Sequence, residues 1–157
     1  MLVEASFNQI TGEVIGAAIE VHRVLGPGLL ESIYMPCLQY ELSVRKLRFV
    51  TQQQLPLAYK EMVFDASYRL DLVVENTVVV EVKSVAQLEA VHDAQVLTYL
   101  NLSGRPVGLL INFNLEKLVL GVRRLITGRG GADKRPFDWP PKAACRDVAP
   151  CVSVSPC

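Results

Sequence analysis

Residues 79–84 read Val-Val-Glu-Val-Lys-Ser, "VVEVKS", and the reading of this stretch decides the fold. A run of β-branched residues is the pattern of a buried strand. Residues i and i+2 of a strand share a face. Glu81 and Lys83 therefore stand side by side in an apolar setting, where unpaired charge is costly. Two readings follow: an ion pair on a solvated edge, or a site whose charges are compensated by a cation and a phosphate. The flanking sequence separates them.

Residues 63–74 read as a second strand, joined to 78–85 through Glu75-Asn76-Thr77. Both carry apolar residues on both faces, as in a sheet covered on both sides. The length of the joint fixes which residues meet. A two-residue loop would set Asp71 opposite Val80 and send the carboxylates of Asp71 and Glu81 to opposite faces. A three-residue loop sets Asp71 opposite Glu81, and Asn76 tolerates the left-handed backbone such a loop needs. The three-residue loop is the expectation, with Leu70, Leu72, Val80 and Val82 lining the other face and packing on a helix.

Working outward, residues 49–59 read as a strand interrupted by Pro56, and 107–112 lie in the short strand "PVGLLINF". Residues 7–25 read as a helix with Ser6-x-x-Gln9 as a capping box and with Ile10, Val14, Ala17, Val21 and Val24 inward. Gly26-Pro27-Gly28 stops it. Residues 31–46 read as a second helix with Ile33, Cys37, Leu38 and Leu42 inward, starting late or bending because of Pro36. Residues 90–102 are helical up to Ser103-Gly104, and 115–126 read equally as strand or helix. The order αα-βββ-α-β predicts an α/β domain, a mixed β-sheet flanked by helices, over residues 1–126. From Thr127 on, the chain is rich in Gly, Pro and small residues and reads as a disordered tail, residues 127–157.

Composition narrows the function. The 157 residues suffice for one domain with a core. Lys plus Arg and Asp plus Glu both number 16, a formal net charge of zero, which argues against coating nucleic acid by bulk charge but leaves room for a local basic groove. The sequence offers no apolar run long enough for a membrane span. Its N-terminus lacks the charged start and apolar core of a signal peptide, so a cytoplasmic location is expected.

Four short motifs occur in order: Gly28-x-x-Glu31-x-x-Tyr34 opening the second helix, Tyr68-Arg69-Leu70-Asp71, Glu81-Val82-Lys83, and Gln95-x-x-x-Tyr99, whose ends share a helix face. Their chemistry is that of metal-assisted phosphodiester hydrolysis. Mg²⁺ or Mn²⁺ prefers oxygen ligands from a few carboxylates, waters and a substrate phosphate. Asp71 and Glu81 would hold the metal from adjacent strands, with the Val82 carbonyl as a further ligand and Glu31 approaching from the helix. Lys83 would hold the attacking water or stabilise charge on the phosphate. Gln95 and Tyr99 would orient Lys83 or a phosphate oxygen.

These motifs resemble the PD-(D/E)xK nuclease superfamily in its RecB-like branch, with the pattern GxxE, GxxD, ExK, QxxxY. The chain is most similar to the GxxExxY protein family, through "IGAAIEVHRVLGPGLLESIY", "YRLDLVVENTVVVEVKSV", "HDAQVLTYL" and "GLLINFN". The resemblance covers about residues 6–126 and implies a restriction-endonuclease-like core, a divalent-metal nuclease, and nucleic acid, DNA ahead of RNA, as the partner. It supplies no particular substrate. The sequence departs from the pattern at Ser67, where glycine is usual, and at Met35-Pro36, where helix formers are usual; neither removes a ligand.

Around this set, several residues have two readings. Arg69 binds phosphate or neutralises Asp71. Tyr34 contacts substrate or closes the edge of the core. His22 matches an upstream metal ligand of some RecB-like nucleases, or packs as a core histidine, and His92 reads as structural or exposed. Gly26-Pro27-Gly28 is not a dinucleotide loop, since no strand precedes it. Some RecB-like nucleases hold an iron–sulfur cluster on one upstream and three C-terminal cysteines; Cys37, Cys145, Cys151 and Cys157 match that count, but their spacing is not that of a cluster run. A non-cleaving module that binds nucleic acid or protein within a larger complex is the competing function. With no added DNA-binding domain in the sequence, a protein partner or a homodimer would supply targeting. If the tail buries no core, a chain ended at Thr127 should melt within about a few degrees of the full chain, and a collapse of its thermal transition would show that the tail packs on the domain.

Overall fold

The structure, a computed structural model, describes residues 2–127. Helix α1 (Leu2–Leu25) and helix α2 (Glu31–Val44) precede strands β1 (Phe49–Tyr59), β2 (Met62–Val74) and β3 (Val78–Lys83). Helix α3 (Ala90–Ser103), β4 (Val107–Asn112), a 3₁₀ turn (Leu118–Gly121) and β5 (Val122–Ile126) follow. The strands form one five-stranded sheet in the order β1-β2-β3-β4-β5. Only β3 and β4 are parallel, and α3 is their crossover. This is the mixed, helix-flanked sheet the pattern predicts. The ambiguous stretch after Leu115 is both a short helical turn and a strand. The expected tail and Cys145, Cys151 and Cys157 lie outside the described residues, whereas Cys37 is free.

Each face of the sheet has its own core. Val14, Ala17, Val21, Tyr34, Leu38 and Leu42 of α1 and α2 pack on Leu72, Val74, Val78, Val80 and Val82. Val96, Tyr99 and Leu100 of α3 pack on Leu70, Val73, Val79 and Leu110. Strands β3 and β4 and the end of β2 are thus buried on both sides, and burial of this kind stabilises by about 25 cal/mol per Å² of apolar surface.

Several local expectations change. Helix α1 begins at Leu2, so Ser6 lies within it and is no cap. Val24 is 65% exposed and Ile33 46% exposed, because both sit at the outer margin of the helical stripe. Helix α2 does not start late: it begins at Glu31 and carries Pro36 inside. Strand β3 ends at Lys83 rather than Val85, because the Asn112 side chain takes both the N–H and the carbonyl of Val85.

The β2–β3 joint is the expected three-residue loop. Val74 pairs with Val78, Val73 with Val79 and Leu72 with Val80. Glu75 and Asn76 both take positive φ, 49° and 53°, and Arg48 holds the Glu75 carboxylate through its guanidinium at 2.7 Å and through its backbone N–H at 2.7 Å.

Leu70 departs from the expected face: it packs with Val73 and Val79 under α3, not with Leu72. The cause is across the ladder. Thr51 pairs with Leu72 and Gln53 with Leu70, which leaves Gln52 opposite Asp71, and Gln52 has φ 52°. A left-handed residue in a strand breaks the regular alternation. Gln52 lies at the level where β2 changes face, between Leu70 and Leu72.

Gly108 of β4 brings α3 onto the sheet. A Cβ there would lie 2.5 Å from Val96 Cγ1 and 3.3 Å from Leu100 Cδ1. Gly108→Ala should therefore push α3 outward and cost about 1–3 kcal/mol, the usual penalty for overpacking, read as a lowered denaturant midpoint. An unchanged midpoint would show that α3 yields without strain.

Candidate active site

The ladder between β2 and β3 ends at Leu72 and Val80. Beyond it the strands part, and Asp71 and Glu81 lie at the fork. The Val82 N–H donates to Asp71 Oδ2 at 3.2 Å, so a side-chain carboxylate stands where a continued ladder would use main chain. Lys83 Nζ donates to Glu81 Oε1 at 2.9 Å. The ion pair is buried, with the Lys83 side chain 16% and that of Glu81 4% exposed. This removes the solvated-edge reading of the opening motif.

Asp71 and Glu81 are within hydrogen-bond reach of each other, yet two ionised carboxylates have only acceptors to offer. Among the described residues Glu81 Oε2 is buried and has no partner. Burial, then the neighbouring charge of Asp71, pushes Glu81 up to about 7 against the pull of Lys83. Burial also raises Asp71, with the Val82 N–H and Lys83 opposing. Such a pair titrates as a unit: a proton or a cation has to lie between the oxygens. Lys83 is raised because contacts to Glu81 outweigh its desolvation.

Tyr99 sits on the same side under α3, with its ring edge-on to Tyr68 at 6.0 Å, and its hydroxyl accepts from Gln95 Nε2 at 2.7 Å. Burial raises the Tyr99 hydroxyl, and the charges of Glu81, Asp71 and Lys83 all reach it. The fold thus brings Gln95 and Tyr99 beside the charged group, but that Gln95 amide donor is spent on Tyr99 rather than on Lys83.

The other expected residues are placed differently. The Glu31 carboxylate acts electrostatically on Asp71 and Lys83, but its Oε1 accepts from the Ser84 N–H at 3.1 Å and the residue is exposed. His22 Nε2 bonds the Leu115 carbonyl at 2.7 Å, which fits the packed histidine better than the ligand. Among the described residues no three His, Cys, Asp or Glu side chains form a cluster able to hold a metal ion; Asp71 and Glu81 are a pair. Tyr34 is fully buried, stacked on Phe113 at 4.5 Å, and its hydroxyl donates to the Gly26 carbonyl at 2.6 Å while accepting from Leu29 N–H. It holds the Gly26–Leu29 loop, with its ring and hydroxyl both engaged inside the protein. Arg69 is exposed between Tyr68 and Leu70, both turned to α3, so alternation carries it to the face away from Asp71. His92 is structural: its Nδ1 accepts from the Glu89 N–H in a capping box.

Asn112 is a residue the motif reading passed over. It pairs with Lys83 across the parallel ladder, is fully buried, and grips Val85 through both ends of its amide. The signal was present: an amide in the otherwise apolar run "VGLLINF" needs partners.

The sequence model of the PD-(D/E)XK nuclease superfamily matches residues 8–125. The chain belongs to that superfamily. No curated protein and no solved structure matches it. Membership supports a nuclease-type function in general, and PD-(D/E)XK nucleases generally use divalent metals. The residues present fit such an ion: two carboxylates with an unpartnered buried oxygen supply hard donors, and Mg²⁺ often takes only one or two carboxylates, filling its shell with water and phosphate. Among the described residues no helix is long and apolar enough to cross a membrane.

A pH dependence follows. Glu81 is raised from 4.5 to about 7, so the folded state holds a proton that the unfolded chain has released. Stability should be full below about pH 4.5 as far as this group is concerned, and be lost as pH rises through about 7. Asp71 contributes with the same sign. Urea melts in chelator should show this fall for the wild type and a flatter profile for Glu81→Gln; identical slopes would mean that the dyad is not buried as described.

Proposed function

We propose that the protein is a divalent-metal-dependent nuclease that hydrolyses phosphodiester bonds, with DNA ahead of RNA as substrate, and that it is a GxxExxY-type member of the RecB-like branch. The observation that carries this reading is the buried Asp71–Glu81 pair with its unpartnered oxygen beside Lys83. Mg²⁺ or Mn²⁺ would be held by Asp71 and Glu81, with the Val82 carbonyl as a candidate donor. When bound, the ion supplies Lewis-acid stabilisation of the phosphate and activation of water.

The chain's own residues divide the remaining work. Asp71 is oriented by the Val82 N–H. Lys83, at the margin of the buried group, carries the positive charge that meets a phosphate oxygen or holds the attacking water. Tyr99, fixed by Gln95, walls the site on the α3 side. Glu31 is near enough to bias Asp71 and Lys83, and its Oε1 is engaged by the main chain through the Ser84 N–H.

That bond favours the second reading, a nuclease-fold module that binds nucleic acid or protein without cutting. One assay decides between them: cleavage of single- and double-stranded DNA and RNA with Mn²⁺ or Mg²⁺, with Lys83→Ala alongside. The expected outcome is metal-dependent cleavage lowered about 10²–10³-fold in the variant, the scale of removing one group that stabilises transition-state charge. Calorimetry with Mn²⁺ should show binding lost in Asp71→Asn and Glu81→Gln. Equal cleavage by wild type and Lys83→Ala, or undiminished Mn²⁺ affinity in both carboxylate variants, would defeat the enzyme reading.

A further inference from the structure

Arg105 follows α3 and its left-handed cap Gly104 and precedes β4. It is 4% exposed. Its Nη2 donates to Asn76 Oδ1 at 2.9 Å and to Gln53 Oε1 at 3.2 Å. Its Nε and Nη1 are buried without partners, as are Gln53 Nε2 and Ser103 Oγ. Gln53 is 7% and Ser103 8% exposed. Burial lowers the guanidinium, to about 10; at neutral pH it remains a buried cation without a counter-charge among the described residues.

The chemistry of this cluster is one-sided. Its unused groups are donors, apart from the hydroxyl of Ser103, and the nearby amide acceptors, Asn76 Oδ1 and Gln53 Oε1, each already accept one bond from Nη2. A water placed here would bring two hydrogens of its own to a place short of acceptors. A ligand that only accepts, and that carries negative charge, answers both the unpaired donors and the uncompensated cation. Arg105 lies away from Glu81 and Lys83: Val107, just after it, pairs with Val78 at the start of β3, whereas Glu81 and Lys83 lie at the end of that strand; Gln53, opposite Leu70, is the member nearest Asp71.

We propose that Arg105, with Gln53 and Ser103, binds a small inorganic anion, a halide or an oxyanion. The ion is met by the unpartnered Arg105 Nε and Nη1 and Gln53 Nε2 donors and leaves the Nη2 bonds to Asn76 and Gln53 in place. Because it is built on Arg105 rather than on the dyad, its test does not depend on the nuclease reading.

Isothermal titration of the full chain, held in gluconate buffer, with chloride and separately with phosphate tests this and distinguishes the two sources. The expected result is saturable one-to-one binding of at least one of them, lost in Arg105→Met and weakened about tenfold or more in Ser103→Ala, the scale of one hydrogen bond to a charged group. The wild-type titration stands even where a variant fails to fold. Absence of saturable binding of either anion to the wild type, or undiminished affinity in folded Arg105→Met, overturns the proposal.

Discussion

Two carboxylates forced together under a sheet are the constraint on which the rest of this structure turns. Asp71 and Glu81 repel when both are ionised, and burial removes the water that would screen them. The fold compensates in part. Lys83 pairs with one, and the Val82 N–H bonds the other. What remains, an unpartnered Glu81 oxygen, is a deficit of positive charge that a proton or a cation can fill. A site built to be stable without a ligand would have ended in balance; this one does not.

The geometry that creates the deficit is backbone geometry. Three-residue spacing in the β2–β3 loop sets Asp71 against Glu81, and the left-handed Glu75 and Asn76 make that loop close. Gln52, also left-handed, lies across from Asp71 where the β2–β3 ladder stops. Positive φ at non-glycine residues costs energy and persists only where surroundings hold it. Arg48 holds Glu75, and Arg105 holds Asn76 and Gln53, the neighbour of Gln52. The irregular points that shape the fork are therefore gripped by arginines distant in sequence.

This explains what could be read from the chain and what could not. The strands, the crossover helix and the three-residue turn between β2 and β3 were legible because they rest on local rules: alternation, turn length and helical spacing. Leu70 and Arg69 changed faces because the cause lies in Gln52, on another strand, and nothing in "YRLDLVV" reports it. Tyr34 kept its motif position but serves the core, since stacking on Phe113 depends on a contact between distant segments. Glu31 reached the right end of β3, but its bond to the Ser84 N–H arises only once the Gly26–Leu30 loop is folded. Arg105 belongs to no motif; only burial reveals it.

The parallel pairing of β3 with β4 gives the last step. Lys83 lies opposite Asn112, its carbonyl accepts from the Phe113 N–H at 2.9 Å, and Asn112 seizes Val85 immediately after it. The main chain carrying Lys83 is thus fixed from β4, while α2 and α3 close the two faces of the strand that carries Glu81. Side chains on so rigid a support cannot relieve their repulsion by moving apart. That rigidity, rather than any single bond, is what keeps two acidic groups within reach of each other and leaves binding of a positive charge as the way to lower their energy.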